Sequence, residues 1–159
     1  IRCYICKNIS TRKITKRTKN IFNIEKKSKL FLRKKLEKFK FKIKNHSKKM
    51  NELIKKLKNR RNKISVYGAS GKGQALMQFC KIDNKFIDHV FDKSKLKQGR
   101  FTPGTNIKIM DPKYISKKKP DYLIILSWNI KEEIIKQEKD FFRKGGKFII
   151  PFPEPKILK

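Results

Sequence analysis

Between Val66 and Leu76 the chain runs Val66-Tyr67-Gly68-Ala69-Ser70-Gly71-Lys72-Gly73-Gln74-Ala75-Leu76, an apolar strand leading through a glycine-rich turn into a helix. Glycines at three of six positions let the backbone come close to a ligand, and the following helix aims its free N–H groups at whatever sits there. That is chemistry suited to a phosphate or pyrophosphate. Many strand-to-helix turns carry glycine only because they are tight, so the motif gains meaning from its surroundings.

Those surroundings alternate strands with helices. Ile64 to Tyr67 forms the first strand, Gln74 to Lys81 a short helix, and Phe86 to Phe91 a second strand closed by Asp92. In dinucleotide-binding folds an acidic residue about 20 positions beyond the glycine turn hydrogen-bonds a ribose. Asp92, 19 positions after Gly73, stands there; capping of the following loop is its equal alternative. Residues 93 to 106 are a loop containing Gly99-Arg100-Phe101-Thr102-Pro103-Gly104-Thr105, where Pro-Gly predicts a tight turn and Arg100 can meet an anion. Ile107 to Ile109 is a short strand, and Asp111-Pro112 starts a helix. The apolar run Asp121 to Ser127 is what a parallel strand covered on both faces requires. Ser127-Trp128-Asn129 ends it, and Ile130 to Lys144 continues as one helix, with Asn129 and Glu132 spaced for a capping box. Gly145-Gly146 stops that helix, Lys147 to Pro151 is the last strand, and Pro153-Glu154-Pro155 closes the chain.

This order predicts an α/β fold, a Rossmann-like open, mostly parallel sheet preceded by a long basic helix. Ligands of such sheets sit beyond the carboxyl ends of the strands. Gly68 to Gly73, Asp92 with the loop to Thr105, Ser127 to Asn129, and Pro151 to Pro155 all fall at that rim. Their convergence says more than any one motif.

Upstream, Leu32, Leu36, Phe39, Ile43, His46, Met50, Leu53 and Leu57 recur at alternating spacings of four and three, a helical seam over Ser28 to about Arg60. At 1.5 Å per residue it runs roughly 50 Å, so it either overshoots the sheet domain or bends, and the weak helix formers Asn45-His46-Ser47 are the place for a break. His46 reads as a half-buried seam residue, with no second ligand at helical spacing. Residues 8 to 27 read as a linker with a short helix. The domain plan is therefore 1–27, the end of an upstream domain plus linker; 28–62, a connecting helix; and 63–159, the sheet domain. Because the chain starts at Ile1, with Ile1 to Cys6 patterned as a strand already under way, it is expected to be a fragment.

Charge enters as a rival explanation. The net charge is +32, and residues 1 to 63 hold 25 basic against 3 acidic residues. Such a field attracts polyanions, nucleic acid included. Only 8 of the 45 basic residues are Arg, however, and no base-reading module accompanies them. Lys, Ile, Asn and Phe are enriched together, as in an AT-rich genome, so nucleic-acid binding is expected to be non-specific if present. The three cysteines give no disulfide framework, which points to a reducing, cytoplasmic setting. Cys3 and Cys6 share C-x-x-C spacing, but in a strand they face opposite sides. No run is apolar enough to span a bilayer, and no membrane partner is expected. No Ser-His-Asp, metal-ligand or paired-carboxylate constellation appears, so no catalytic or metal residue is assigned. A nicotinamide-dependent enzyme ranks third, since the glycine spacing is G-x-x-G-x-G.

Taken together, Val66 to Gly73, Gly99 to Thr105, Pro120-Asp121-Tyr122, Ser127-Trp128-Asn129, Gly145-Gly146-Lys147-Phe148 and Pro151-x-Pro153-Glu154-Pro155, in this order and spacing, resemble the C-terminal domain of S-adenosylmethionine-dependent sugar C-methyltransferases. The resemblance runs from about residue 36 to the end, and Ile1 to Tyr4 looks like the last strand of that family's central domain. It implies a three-part enzyme: a zinc-binding N-terminal domain, a central domain holding S-adenosylmethionine and the catalytic base, and this domain, which helps hold a nucleotide-linked keto-deoxysugar. None of the zinc ligands, the methyl-donor site or the base maps onto residues 1–159, so this chain is expected to bind neither cofactor and to be inactive alone. Its expected partners are the nucleotide-sugar and the upstream domain of the same polypeptide. The expected substrate contacts are the N–H groups of Ser70, Gly71, Lys72 and Gly73 with the Lys72 and Arg100 side chains at the diphosphate, Asp92, Trp128, Asn129 and Glu154 along the nucleoside or sugar, and Gly68, Ala69, Pro103, Gly104, Thr105 and Ser127 as further contacts.

Overall fold

A computed structural model describes residues 3–7 and 10–158. The chain divides into a first unit ending at Lys42 and a second spanning Ile43–Lys159.

In the first unit, Thr15 caps helix α1 (Lys16–Ser28) through its side chain, and Lys29 ends it in the left-handed region. The expected linker is thus largely helical. Helix α2 (Arg33–Asn59) then begins. Along both helices Ile21, Phe22, Ile24, Leu36 and Phe39 are exposed. Of the strand expected over Ile1 to Cys6, Ile1 and Arg2 lie outside the described residues, and Cys3 to Cys6 is exposed and without regular secondary structure.

The second unit is built around a six-stranded sheet in the order β3-β2-β1-β4-β5-β6. Its strands are β1 (Ile64–Tyr67), β2 (Val90–Phe91), β3 (Ile109–Met110), β4 (Tyr122–Ile125), β5 (Lys147–Ile150) and β6 (Lys156–Leu158). All pairs are parallel except β5 with β6. β1 is central, pairing Val66 with Val90 on one side and with Ile124 on the other. Period-two alternation sorts the strand side chains into two layers. Ile64, Val66, Ile124 and Ile149 face a layer containing Met50, Ile54 and Leu57 of α2 and Met77 of α3 (Gly71–Phe79). Tyr67, Phe91, Leu123, Ile125, Phe148 and Ile150 face the other, with Ile115 of α4 (Ile115–Lys118) and Ile134 of α5 (Lys131–Gln137). Phe141 of α6 (Lys139–Arg143) packs against that second layer.

Several expectations are corrected. The second strand shrinks to two residues because Asp83 starts a turn that takes in Phe86, whose N–H donates to the Asp83 carbonyl. The helix expected over Ile130 to Lys144 breaks at Glu138 into α5 and α6. The capping box at Asn129 does not form, because Asn129 lies within a 3-10 turn and Ile130 precedes α5 without a side-chain cap. β6 was unforeseen. Helix α2 is unbroken through residues 45 to 47.

Candidate functional site

At the carboxyl end of β1 the three glycines do three different jobs. Gly68 has φ +95°, and a Cβ there would lie 2.5 Å from Ser127 Oγ, so the turn can touch the end of β4 only as glycine. Gly73 is equally confined, its would-be Cβ 2.5 Å from Leu126 Cβ, which lets the first turn of α3 press against the sheet. Gly71 differs: nothing lies within 4 Å of where its Cβ would be. Gly68 and Gly73 thus take two of the roles glycine has in a dinucleotide fingerprint, the tight turn and the helix packing, at another spacing, and Gly71 leaves its face open.

α3 begins three residues earlier than its hydrophobic pattern suggests, so Gly71 to Gly73 is its first turn. Ser70 caps it, Oγ accepting from Gly73 N at 3.1 Å, and Gln74 N donates to the Ser70 carbonyl at 2.9 Å. The N–H groups of Gly71 and Lys72 are left without intrahelical partners.

Asp92 sits beside this turn, buried. Its Oδ2 accepts from Ala69 N at 2.7 Å and Lys97 Nζ at 3.0 Å, and its Oδ1 accepts from Ser94 N at 2.8 Å. Burial pushes the carboxyl up, but the N–H groups of Ser94 and Ala69 together with the Lys97 ammonium outweigh it and hold the group below the usual carboxylate range. With three donors on two oxygens, Asp92 ties the glycine turn to the following loop. Its geometry is that of the loop cap.

A cavity of about 460 Å³ opens between α3 and that loop, and Ala69, Gly71, Gln74, Arg100, Phe101 and Pro103 are among its walls. The size falls within the range of small-molecule sites. Arg100 is exposed and makes no ion pair among the described residues. Pro103 and Gly104 are held against α3, the Pro103 carbonyl accepting from Gln78 Nε2 at 2.9 Å. Thr105 does not face a ligand: it is buried, paired with Thr102 Oγ1 at 2.7 Å.

On the other side of the turn, Lys72 Nζ lies 5.8 Å from the Trp128 ring centroid. Trp128 packs on Phe152 at 4.7 Å, and Phe152 stacks on His46 at 4.4 Å and 9°. His46 Nε2 is 2.6 Å from the Pro151 carbonyl oxygen, and Glu154 pairs with Lys49 at 3.0 Å. His46 therefore does more than fill a seam, since it ties α2 to the loop after β5. Asn129 is exposed on this side. The structure thus divides the expected residues into two groups, a cleft by Arg100 and an aromatic shelf by Trp128, with Gly71 between them in the chain of contacts. Sequence reasoning missed Gln74, Leu96, Phe101 as a cleft wall, and Phe152. Phe101 and Phe152 stand inside the Gly99 to Thr105 and Pro151 to Pro155 motifs, so an aromatic next to Arg or Pro at the rim is the signal the sequence offers.

A larger cavity of about 700 Å³ lies at the amino ends of β4 and β5, against Pro120, Asp121, Gly145 and Gly146, and none of the expected substrate contacts lines it. Among the described residues two buried polar atoms lack hydrogen-bond partners, Gln74 Nε2 and the Tyr67 hydroxyl, each a loss of about 1–3 kcal/mol if left so. Burial and the neighbouring Glu138 carboxylate push the Tyr67 phenol up.

The implied cofactors can be tested against these residues. No group of three His, Cys, Asp or Glu side chains able to hold a metal occurs among the described residues, and Cys3 and Cys6 are exposed; zinc does not fit them. S-adenosylmethionine, a sulfonium of net positive charge, fits poorly at a helix N-terminus flanked by Lys72 and Arg100, where an anion is favoured. No helix among the described residues is long and apolar enough to cross a membrane.

Comparison with known proteins gives a consistent result. The profile of the C-methyltransferase C-terminal domain family matches residues 1–153, reaching further toward the amino end than the quoted motifs. The C-methyltransferase NovU of Streptomyces niveus is 41% identical over 95 residues, covering 60% of this chain and 23% of that protein, so the match spans about a quarter of the relative's length. Among solved structures, UDP-D-quinovosamine 4-dehydrogenase from Vibrio fischeri is similar at 20% identity, over 62% of this chain and 93% of that one, with a TM-score of 0.44.

Proposed function

The chain belongs to the C-methyltransferase C-terminal domain family, and from that premise we propose that it is the substrate-holding domain of an S-adenosylmethionine-dependent enzyme acting on a nucleotide-linked keto-deoxysugar in the cytoplasm. The observation that carries the reading is the open face of Gly71: two unpartnered N–H groups at a helix N-terminus, beside an unpaired Arg100 in the same cavity. Asp92 is the carboxylate at this turn and it is taken up by Ala69, Ser94 and Lys97, so the donors left over and the exposed Arg100 suit a diphosphate. In this reading the N–H groups of Gly71 and Lys72 take phosphate oxygens, Arg100 and Lys72 balance the charge, and the shelf of Trp128, Asn129 and Glu154 lies by the remainder of the ligand. Ser70, Asp92 and Thr105 shape the walls without touching it.

The methyl transfer itself belongs to the upstream domain of the same polypeptide, which supplies the methyl donor and the base that removes a proton beside the sugar keto group. The zinc-binding domain also lies there. This chain contributes position: holding the diphosphate fixes where the sugar carbon meets its reaction partners. Residues 1–159 alone are then inactive.

Titration of the full-length protein with nucleotide-sugar tests the reading. Removing a charge-assisted contact costs about 1.5–3 kcal/mol, so Arg100→Ala and Lys72→Ala should each weaken binding by roughly ten- to a hundredfold. Unchanged affinity in both variants would sink it.

A further inference from the structure

Gln74 has a role that the diphosphate does not explain. It is 4% exposed, its Oε1 accepts from Thr105 Oγ1 at 3.3 Å, and its Nε2 has no partner. Thr105 is held in turn by Thr102, whose Oγ1 accepts from Ile107 N at 2.9 Å. Whichever way the amide is turned, one polar end meets Thr105 and the other meets nothing. The same cavity that contains Gly71 and Arg100 contains Gln74, and its outer wall is apolar. Leu96 and Phe101 stand there 82% and 57% exposed, although both are large hydrophobic side chains. A fixed amide with a vacant end and an exposed aromatic ring lining one cavity suit a flat heteroaromatic group with polar atoms on its edge.

We propose that this cleft takes the nucleobase, with its ring against Phe101 and its edge at Gln74. The inference rests on the nucleotide-sugar reading above and adds a direction to it. The nucleoside lies over the β1, β2 and β3 side, where Ile109 of β3 closes the cleft. The phosphates cross at Gly71, and the sugar extends over Trp128 toward the β4 and β5 side. The strand order reverses between β1 and β4, and a ligand of two unlike halves lies across such a reversal. Asp92 is engaged by Ala69, Ser94 and Lys97, so in this placement the nucleoside is held by the cleft around its base rather than by a carboxylate on its ribose.

Calorimetric titration of the full-length protein separates the halves. The probes are ADP, CDP, GDP, UDP and dTDP, followed by a nucleotide-sugar carrying the best-bound base. Base stacking on an aromatic is worth about 1–3 kcal/mol, so Phe101→Ala should weaken nucleoside diphosphate and nucleotide-sugar by the same factor, about tenfold. Gln74→Leu should act likewise and reduce the spread among the five bases. Trp128→Ala should weaken the nucleotide-sugar more than the nucleoside diphosphate. Phe101 is exposed, so its variant should keep the melting temperature. If Trp128→Ala weakens the nucleoside diphosphate while Phe101→Ala leaves it unchanged, the direction is wrong and the inference falls with the nucleotide-sugar reading intact. If the unaltered protein binds none of these ligands, both fall.

Discussion

At the scale of single residues, the glycine turn separates demands that a sequence motif presents as one. Gly68→Ala places a methyl on a backbone at φ +95° and into Ser127 Oγ, and Gly73→Ala drives one into Leu126. Each should cost about 1–3 kcal/mol of stability. Gly71→Ala meets open space at a helical position, where Ala is favoured over Gly by about 0.5–1 kcal/mol, so stability should hold or rise. The methyl would instead occupy the ligand's approach. Thermal melts paired with nucleotide-sugar titration should therefore show Gly71→Ala as the variant that keeps its melting temperature and loses affinity. A Gly71→Ala protein with full affinity would remove the turn from the site. Asp92 carries the complementary lesson. Its position relative to Gly73 was legible, whereas its choice between ribose and loop depended on where Ala69, Ser94 and Lys97 came to rest.

At the scale of elements, β1, β4 and β5 were legible because both of their faces are covered, which leaves an unbroken apolar run in the sequence. β6 was not, because Pro153 and Pro155 look like chain punctuation and its ladder exists only against the edge of β5. α2 shows tertiary contacts overriding propensity. Asn45-His46-Ser47 continues as helix, with His46 on the Pro151 carbonyl and Ser47 Oγ donating to the Phe79 carbonyl at 3.3 Å. Four residues on, Asn51 Nδ2 donates to the Cys80 carbonyl at 2.9 Å. The cleft was illegible because Leu96 and Phe101 come from a loop without periodicity. Of the seam expected along α2 only Met50 and Leu57 are buried, at 1% and 4% exposure; Leu53 is half-buried, and Ile54, beside the seam rather than in it, is buried at 1%. In the 159-residue chain Ile54→Ala should therefore cost about 2–5 kcal/mol in chemical denaturation, while Leu36→Ala, half exposed, should stay within about 0.5 kcal/mol. Equal losses at the two positions would mean that the apolar residues before Ile43 are covered in solution.

At the scale of the whole molecule, the net charge of +32 is the property most able to mislead a binding assay. At most 13 of the 45 cationic side chains can find an acidic partner within the chain, so the remainder repel one another and attract any polyanion. Duplex DNA should bind, but by counterion release alone, without preference for sequence. Its affinity should fall steeply with salt, with a log–log slope set by the number of phosphates neutralised. A nucleotide-sugar offers two phosphates, so its binding should change far less over the same range. Titrations between about 50 and 200 mM salt, where a protein making several phosphate contacts loses on the order of a thousandfold or more, place the two behaviours side by side. Nucleotide-sugar affinity that persists while DNA binding vanishes supports a small anionic ligand at the rim. DNA binding that survives with a sequence preference, alongside no response to nucleotide-sugar, would transfer the function from the cleft by Gly71 to the basic helices.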